Sequence, residues 1–102
     1  MILPVEEVLS IHRTLIDSFG GSHGLRDESL LNAALQRPLQ TFDGQELYPS
    51  AVEKSAALLE SIVKNHPFID GNKRTGYVLA RLYLMENSWD IIAPEQEKYH
   101  FI

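Results

Sequence analysis

Apolar residues recur at helical spacing in four stretches of this chain, and the segments between them carry turn chemistry. Val8, Ile11 and Leu15, continued by Ser18, follow Pro4 and the acidic pair Glu6 and Glu7, and Gly20-Gly21 interrupts them. Proline in a first turn and carboxylates at the positive end of the dipole predict a helix over roughly 4–19. Leu30, Leu31, Ala34 and Leu35 predict a second helix, capped by Asp27 and ending before Pro38 with Arg37 in its last turn. Val52, Ala56, Leu59 and Val63 define a third, started by the capping box Ser50-Ala51-Val52-Glu53 and running to about Asn65. Val78, Leu82 and Met85 define a fourth, from about Asn72 to Asn87.

Between the second and third helices, Asp43-Gly44 sits between Thr41-Phe42 and Leu47-Tyr48 and predicts a short hairpin or ordered loop. Beyond the fourth helix, Asn87-Ser88 is a stop signal and Trp89 to Ile92 is a short extended piece. Pro94 then opens another helix bearing Tyr99, Phe101 and Ile102. The pattern is that of an all-α domain built on a central helix-loop-helix, with one small hairpin.

The loop between the third and fourth helices concentrates the chemistry. Residues 65–76 hold a base, an acid, a flexible turn, an amide and two cations. Pro67 disfavours helical geometry at His66 and ends the third helix, Gly71 permits backbone angles closed to other residues, and Asn72 is placed to cap the fourth. Such a cap leaves the backbone N–H groups of Lys73, Arg74 and Thr75 without helical partners, at the positive end of a dipole. That is an anion site, suited to phosphate, and the Lys73 and Arg74 side chains reinforce it. Asp70 offers the single carboxylate that Mg2+ accepts when phosphates and waters complete its octahedron. An imidazole such as His66, with an ordinary pKa of about 6.5, can accept a proton from an attacking hydroxyl at neutral pH. Base, metal carboxylate and phosphate cradle together describe phosphoryl or nucleotidyl transfer. The plainer alternative is a capped corner whose polar residues only solvate the turn.

Composition narrows the surroundings. The 102 residues suit one domain over 1–102. Without cysteine there is no disulfide, thiolate zinc site or Cys nucleophile. A net charge of −5 disfavours direct nucleic-acid binding through a broad basic field. No leader pattern or apolar run long enough for a membrane is seen, which gives a cytoplasmic protein as the expectation. His12 and His23 lack a carboxylate pattern and read as core-edge or solvated, and Arg81 reads as a surface ion pair. There is no Walker loop, dinucleotide fingerprint, zinc-protease motif, nucleophile elbow or repeat.

The run His66-Pro67-Phe68-Ile69-Asp70-Gly71-Asn72-Lys73-Arg74-Thr75 resembles the signature loop of the Fic/Doc family, in which His, Pro, Phe, any residue and an acid precede Gly-Asn-Gly-Arg. Lys73 replaces the second Gly of the nucleotidyl-transferring Fic pattern, and Tyr77 stands where that pattern often has another Arg. Both departures resemble the Doc (death-on-curing) branch, the bacterial toxins of toxin-antitoxin pairs. The resemblance implies His66 as general base, Asp70 as Mg2+ ligand, and Gly71, Asn72, Lys73, Arg74 and Thr75 as the phosphate- and nucleotide-binding group. It also implies that Thr41, Phe42, Asp43 and Gly44 form a flap that lines up the target.

The activity so implied is transfer of the γ-phosphate of ATP, or another nucleoside triphosphate, to a Ser, Thr or Tyr hydroxyl of a bacterial protein. Elongation factor Tu is the candidate target that the resemblance offers. AMP transfer to a protein hydroxyl, a non-catalytic binding module of the same fold, and an RNA-cleaving toxin are the alternatives. In the family's self-inhibitory helix a Ser or Thr precedes the Glu. Glu86-Asn87 is the sole candidate ending and Leu82 stands at the hydroxyl position, so the expected inhibitor is an antitoxin chain acting in trans. Members of the Doc branch commonly continue with one or two more helices, so the domain is expected to lack its C-terminal helices.

Overall fold

The computed structural model describes residues 3–86 of the chain. The expected stop at Asn87-Ser88, the extended piece from Trp89 and the helix after Pro94 lie outside the described residues. Helices α1 (Val5–Phe19) and α2 (Glu28–Gln36) come first, and a 3₁₀ turn, Arg37–Leu39, follows. Strands β1 (Thr41–Phe42) and β2 (Gln45–Glu46) lead to helices α3 (Ala51–Asn65) and α4 (Asn72–Glu86). The domain is thus mostly helical with a small antiparallel hairpin, as the periodicity predicts.

The ends of the helices follow local chemistry. The Asp27 carboxylate accepts the Leu30 N–H at 3.1 Å and caps α2. Ser50 Oγ accepts the Glu53 N–H at 3.0 Å and caps α3. The reciprocal bond of the capping box differs from expectation, because the Glu53 carboxylate takes the Ser50 hydroxyl. The hairpin pairs Thr41 with Glu46 and Phe42 with Gln45. Its turn residues Asp43 and Gly44 both have positive φ, 53° and 78°, which matches the right-handed twist of the flanking strands. Side chains fasten its far end: Lys54 Nζ donates to Glu46 Oε1 and to the Tyr48 carbonyl, and Arg37 Nε donates to the Tyr48 hydroxyl.

The faces that pack differ from those the periodicity marks out. Helix α3 buries Ser55, Ala57, Leu58, Ser61 and Ile62, and leaves Val52 48% exposed. The reason is that α3 packs against two neighbours, α4 along one side and α2 with the 3₁₀ turn along another. Close approach at two faces selects small residues, and a hydropathy stripe overlooks them. Ser61 is tolerated inside because Arg37 Nη1 donates to its hydroxyl. On α4 the same shift buries Thr75, Gly76, Leu79, Ala80 and Tyr83, where the spacing marks Val78, Leu82 and Met85. On α1 the buried set is Val8, His12 and Ile16. Leu31, Leu58, Ile62, Phe68 and Leu79 close one continuous core, and Phe68 carries it into the loop between α3 and α4.

Candidate active site

His66 closes α3. Its N–H bonds the Ile62 carbonyl at 3.1 Å, and its backbone is left-handed, φ 53° and ψ 53°. The proline that follows disfavours the right-handed helical region, so the chain turns there. Arg26 holds the turn in place: Nε donates to the His66 carbonyl at 2.6 Å and Nη2 to the Asn65 carbonyl at 2.7 Å. The charged fork thus satisfies two carbonyls that the end of α3 leaves without partners. Main-chain bonds from Arg26 and Asp27 to the Pro67 carbonyl, and from Ile69 to the Gly24 carbonyl, lay residues 24–27 alongside the loop. Sequence reading misses this brace, since no local signal ties Arg26 to a turn forty residues on.

The interior of the loop is clamped from two sides. Asn72 is 4% exposed, accepts the Phe68 N–H on Oδ1 at 3.0 Å and donates from Nδ2 to the Phe68 carbonyl at 2.9 Å. This corrects one expectation. Gly71 rather than Asn72 precedes the first turn of α4, its carbonyl accepting the Thr75 N–H at 2.9 Å. The amide of Asn72 closes the loop instead of capping the helix. The second clamp is His12, whose ring lies parallel on Phe68 with centroids 3.9 Å apart and whose Nε2 is 2.8 Å from the Asp70 carbonyl. A carbonyl can only accept, so that nitrogen carries the hydrogen.

Asp70 is exposed at the lip, with Oδ2 accepting the Ser22 N–H at 3.0 Å and Oδ1 the Gly71 N–H at 2.8 Å. These backbone donors, Ser22 first, hold its carboxyl below the usual carboxylate range, so it is ionised at neutral pH. Each oxygen keeps a lone pair for a further partner. Among the described residues no group of three or more His, Asp or Glu gathers to hold a metal. A single carboxylate, completed by a bound phosphate and water, is the kind of protein contact that Mg2+ accepts.

These pieces meet in an open cleft of about 620 Å³, lined by His66, Asp70, Gly71, Asn72, Lys73 and Arg74, with Gly20, Ile69 and Tyr77 completing the wall. Since the Thr75 N–H is already bonded to Gly71, the first-turn N–H groups left for an anion are those of Asn72, Lys73 and Arg74. Arg74 stacks its guanidinium over the Phe19 ring, 4.4 Å from the centroid, so the end of α1 steadies one cation of the cleft. Thr75 does not line it. Its side chain is fully buried, and its hydroxyl finds no hydrogen-bond partner among the described residues. Thr41, Phe42, Asp43 and Gly44 are exposed on the hairpin and do not line the cleft either, and Arg81 is likewise absent from its wall.

Among the described residues, no helix is long and apolar enough to cross a membrane. The sequence model of the Fic/DOC family matches residues 2–84. Toxin Doc of Mycolicibacterium smegmatis is 43% identical over 76 residues, 74% of this chain and 58% of the relative. Protein kinase doc of Escherichia phage P1 is 32% identical over 91 residues, 88% of this chain and 71% of the relative. Protein adenylyltransferase Fic of Drosophila ananassae is 28% identical across the whole chain, which spans 24% of that protein. No solved structure gives a significant match. With the family's sequence pattern matched across most of its length and the signature loop folded into a single cleft, the chain belongs to the Fic/DOC family.

Proposed function

We propose that the protein transfers the γ-phosphate of a nucleoside triphosphate to a Ser, Thr or Tyr hydroxyl of a bacterial protein. The observation that carries this reading is the juxtaposition, in one cleft, of an exposed imidazole with the open first turn of α4 and its two cations. His66 takes the proton of the attacking hydroxyl as its oxygen bonds the γ-phosphorus and the bond to the β-phosphate oxygen breaks, releasing the nucleoside diphosphate. The N–H groups of Asn72, Lys73 and Arg74, with the Lys73 and Arg74 side chains, hold the phosphates and meet the charge that builds on them. Asp70 would hold Mg2+, which when bound neutralises phosphate charge.

Lys73, where the AMP-transferring pattern has Gly, fills space at the phosphate site and supports γ-transfer. So do a relative named a protein kinase, 32% identical, and another named a Doc toxin, 43% identical. AMP transfer is the second reading, supported by relatives named adenylyltransferases that align with 98–100% of this chain. Elongation factor Tu is the target we propose, with the hairpin from Thr41 to Gly44 pairing its backbone with the target segment. An antitoxin chain acting in trans is the proposed inhibitor, and the cytoplasm the proposed compartment.

The test supplies a bacterial lysate with Mg2+ and ATP labelled at either the γ- or the α-phosphate, using the chain and its His66→Ala variant. Label entering a protein from the γ position only, and only with His66 intact, is the expected result. Label from the α position would replace kinase by AMP transfer, and label from neither would leave a binding module or an RNA-cleaving toxin.

A further inference from the structure

Asp70 is held at two points by residues that lie outside the signature loop, and a third residue leaves the room for one of them. His12 Nε2 donates to its carbonyl at 2.8 Å, and the ring, 4% exposed, is fixed by its stack on Phe68. The Ser22 N–H reaches Oδ2 at 3.0 Å. Gly21 makes that approach feasible: its φ is 115°, and a Cβ there would stand 2.8 Å from Oδ2. The loop's own contribution is a single bond from the Gly71 N–H to Oδ1. Free rotation about the side-chain bonds of an exposed aspartate would cost entropy each time it gathered an ion, and a carboxylate held in advance avoids that cost.

We infer that His12, Gly21 and Ser22 are positioning residues for Asp70. His12 of α1 fixes the backbone of Asp70 and the turn after α1 grips its carboxylate through the Ser22 N–H, and together they set how strongly the cleft takes a Mg2+-nucleotide complex. The inference rests on Asp70 being the metal carboxylate of the proposed reaction. A phosphate held by the first turn of α4 does not need Asp70, so the grip governs only the Mg2+-dependent part of binding. Partners of this kind characteristically change metal affinity 10- to 100-fold, at about the lower end for one bond.

The test measures equilibrium binding of ATP to the chain carrying His66→Ala, which blocks turnover, once with Mg2+ and once with EDTA. His12→Leu keeps an apolar side chain against Phe68 and removes the donor. It should lose about tenfold in the Mg2+ arm and leave the EDTA arm unchanged. His12→Gln, which restores an N–H at similar reach, should recover most of the loss. Gly21→Ala should show the same selective loss; because alanine is strained at φ 115°, it should also unfold at a lower temperature, so its binding is read well below its own transition, which covers the case of His12→Leu failing to fold. Asp70→Asn should abolish the Mg2+ gain, and adding His12→Leu to it should cost nothing more. A Mg2+ gain lost in Asp70→Asn and kept in both His12→Leu and Gly21→Ala overturns the inference alone. Equal losses in the two arms also overturn it. No Mg2+ gain in the parent overturns the metal role of Asp70 and the inference with it.

Discussion

With both polar atoms of its amide bonded to the backbone of Phe68 and almost none of its surface exposed, Asn72 cannot be shortened without leaving an N–H and a carbonyl buried and unpaired. Each such group costs about 1–3 kcal/mol, so Asn72→Ala should lower stability by about 2–6 kcal/mol in denaturant unfolding. A change near zero would mean the loop is closed by other contacts. An asparagine at that position reads from sequence as a cap or a ligand, because both roles use an exposed amide. What decides otherwise is Phe68, whose burial brings its backbone to the amide, and burial is a property of the folded core. His12 is hidden for the same reason. Its partner is 58 residues away, and only the packing of α1 beside α4 brings the two together. His66, Asp70, Lys73 and Arg74 are legible in advance because their chemistry and spacing are local.

At the level of elements, starts and stops were legible, the cap of α4 excepted, and faces were not. Asp27, Ser50, Pro67 and Asp43-Gly44 act within a few residues of themselves, and the structure puts the ends of α2, α3 and the hairpin turn where they predict. The buried faces of α3 and α4 depend on which neighbours each helix meets, and the contact between them is built around Gly76. A Cβ there would lie 3.0 Å from Leu59 Cδ1 and 3.3 Å from Ile62 Cβ, and Ile62 is fully buried. Leu59 can swing its tip aside, whereas Ile62 Cβ moves only with the backbone of α3. Gly76→Ala would gain about 1 kcal/mol of helix propensity but meet overpacking of about 1–3 kcal/mol. The expected net is a loss of up to about 2 kcal/mol, read by thermal unfolding. Because α3 ends in His66 and α4 begins the anion site, the same variant should weaken nucleotide binding. A stabilised Gly76→Ala would show that α3 and α4 can part without strain.

For the molecule as a whole, three carboxylates, the half-buried Asp27 and the exposed Glu60 and Asp70, tie stability to acid pH. Asp27 is held below its ordinary value of 3.8 by the Ser29 hydroxyl and then the Leu30 N–H. Glu60 lies below 4.5 through Arg37 and then Lys64. Asp70 lies below 3.8 through the N–H groups of Ser22 and Gly71. A carboxyl whose folded pKa is depressed binds fewer protons folded than unfolded. Its stabilising effect is therefore complete above the unfolded value and is lost as pH falls through the folded one. All three shifts have the same sign, so they act together, and the loss should begin near pH 4.5 and steepen below 3.8. Net charge gives a different expectation: with a pI near 5.2, self-repulsion is least there and grows in either direction. Urea unfolding from pH 7 to pH 2.5 separates the two. Asp27→Asn, Glu60→Gln and Asp70→Asn combined should reduce stability at pH 7 and flatten the acid limb, bringing variant and parent together at low pH. A limb that keeps its slope in the triple variant would assign acid sensitivity to overall charge. The three groups cap α2, bridge α3 to the 3₁₀ turn and tie the cleft to the turn after α1, so loosening them by acid should open the cleft along with the fold.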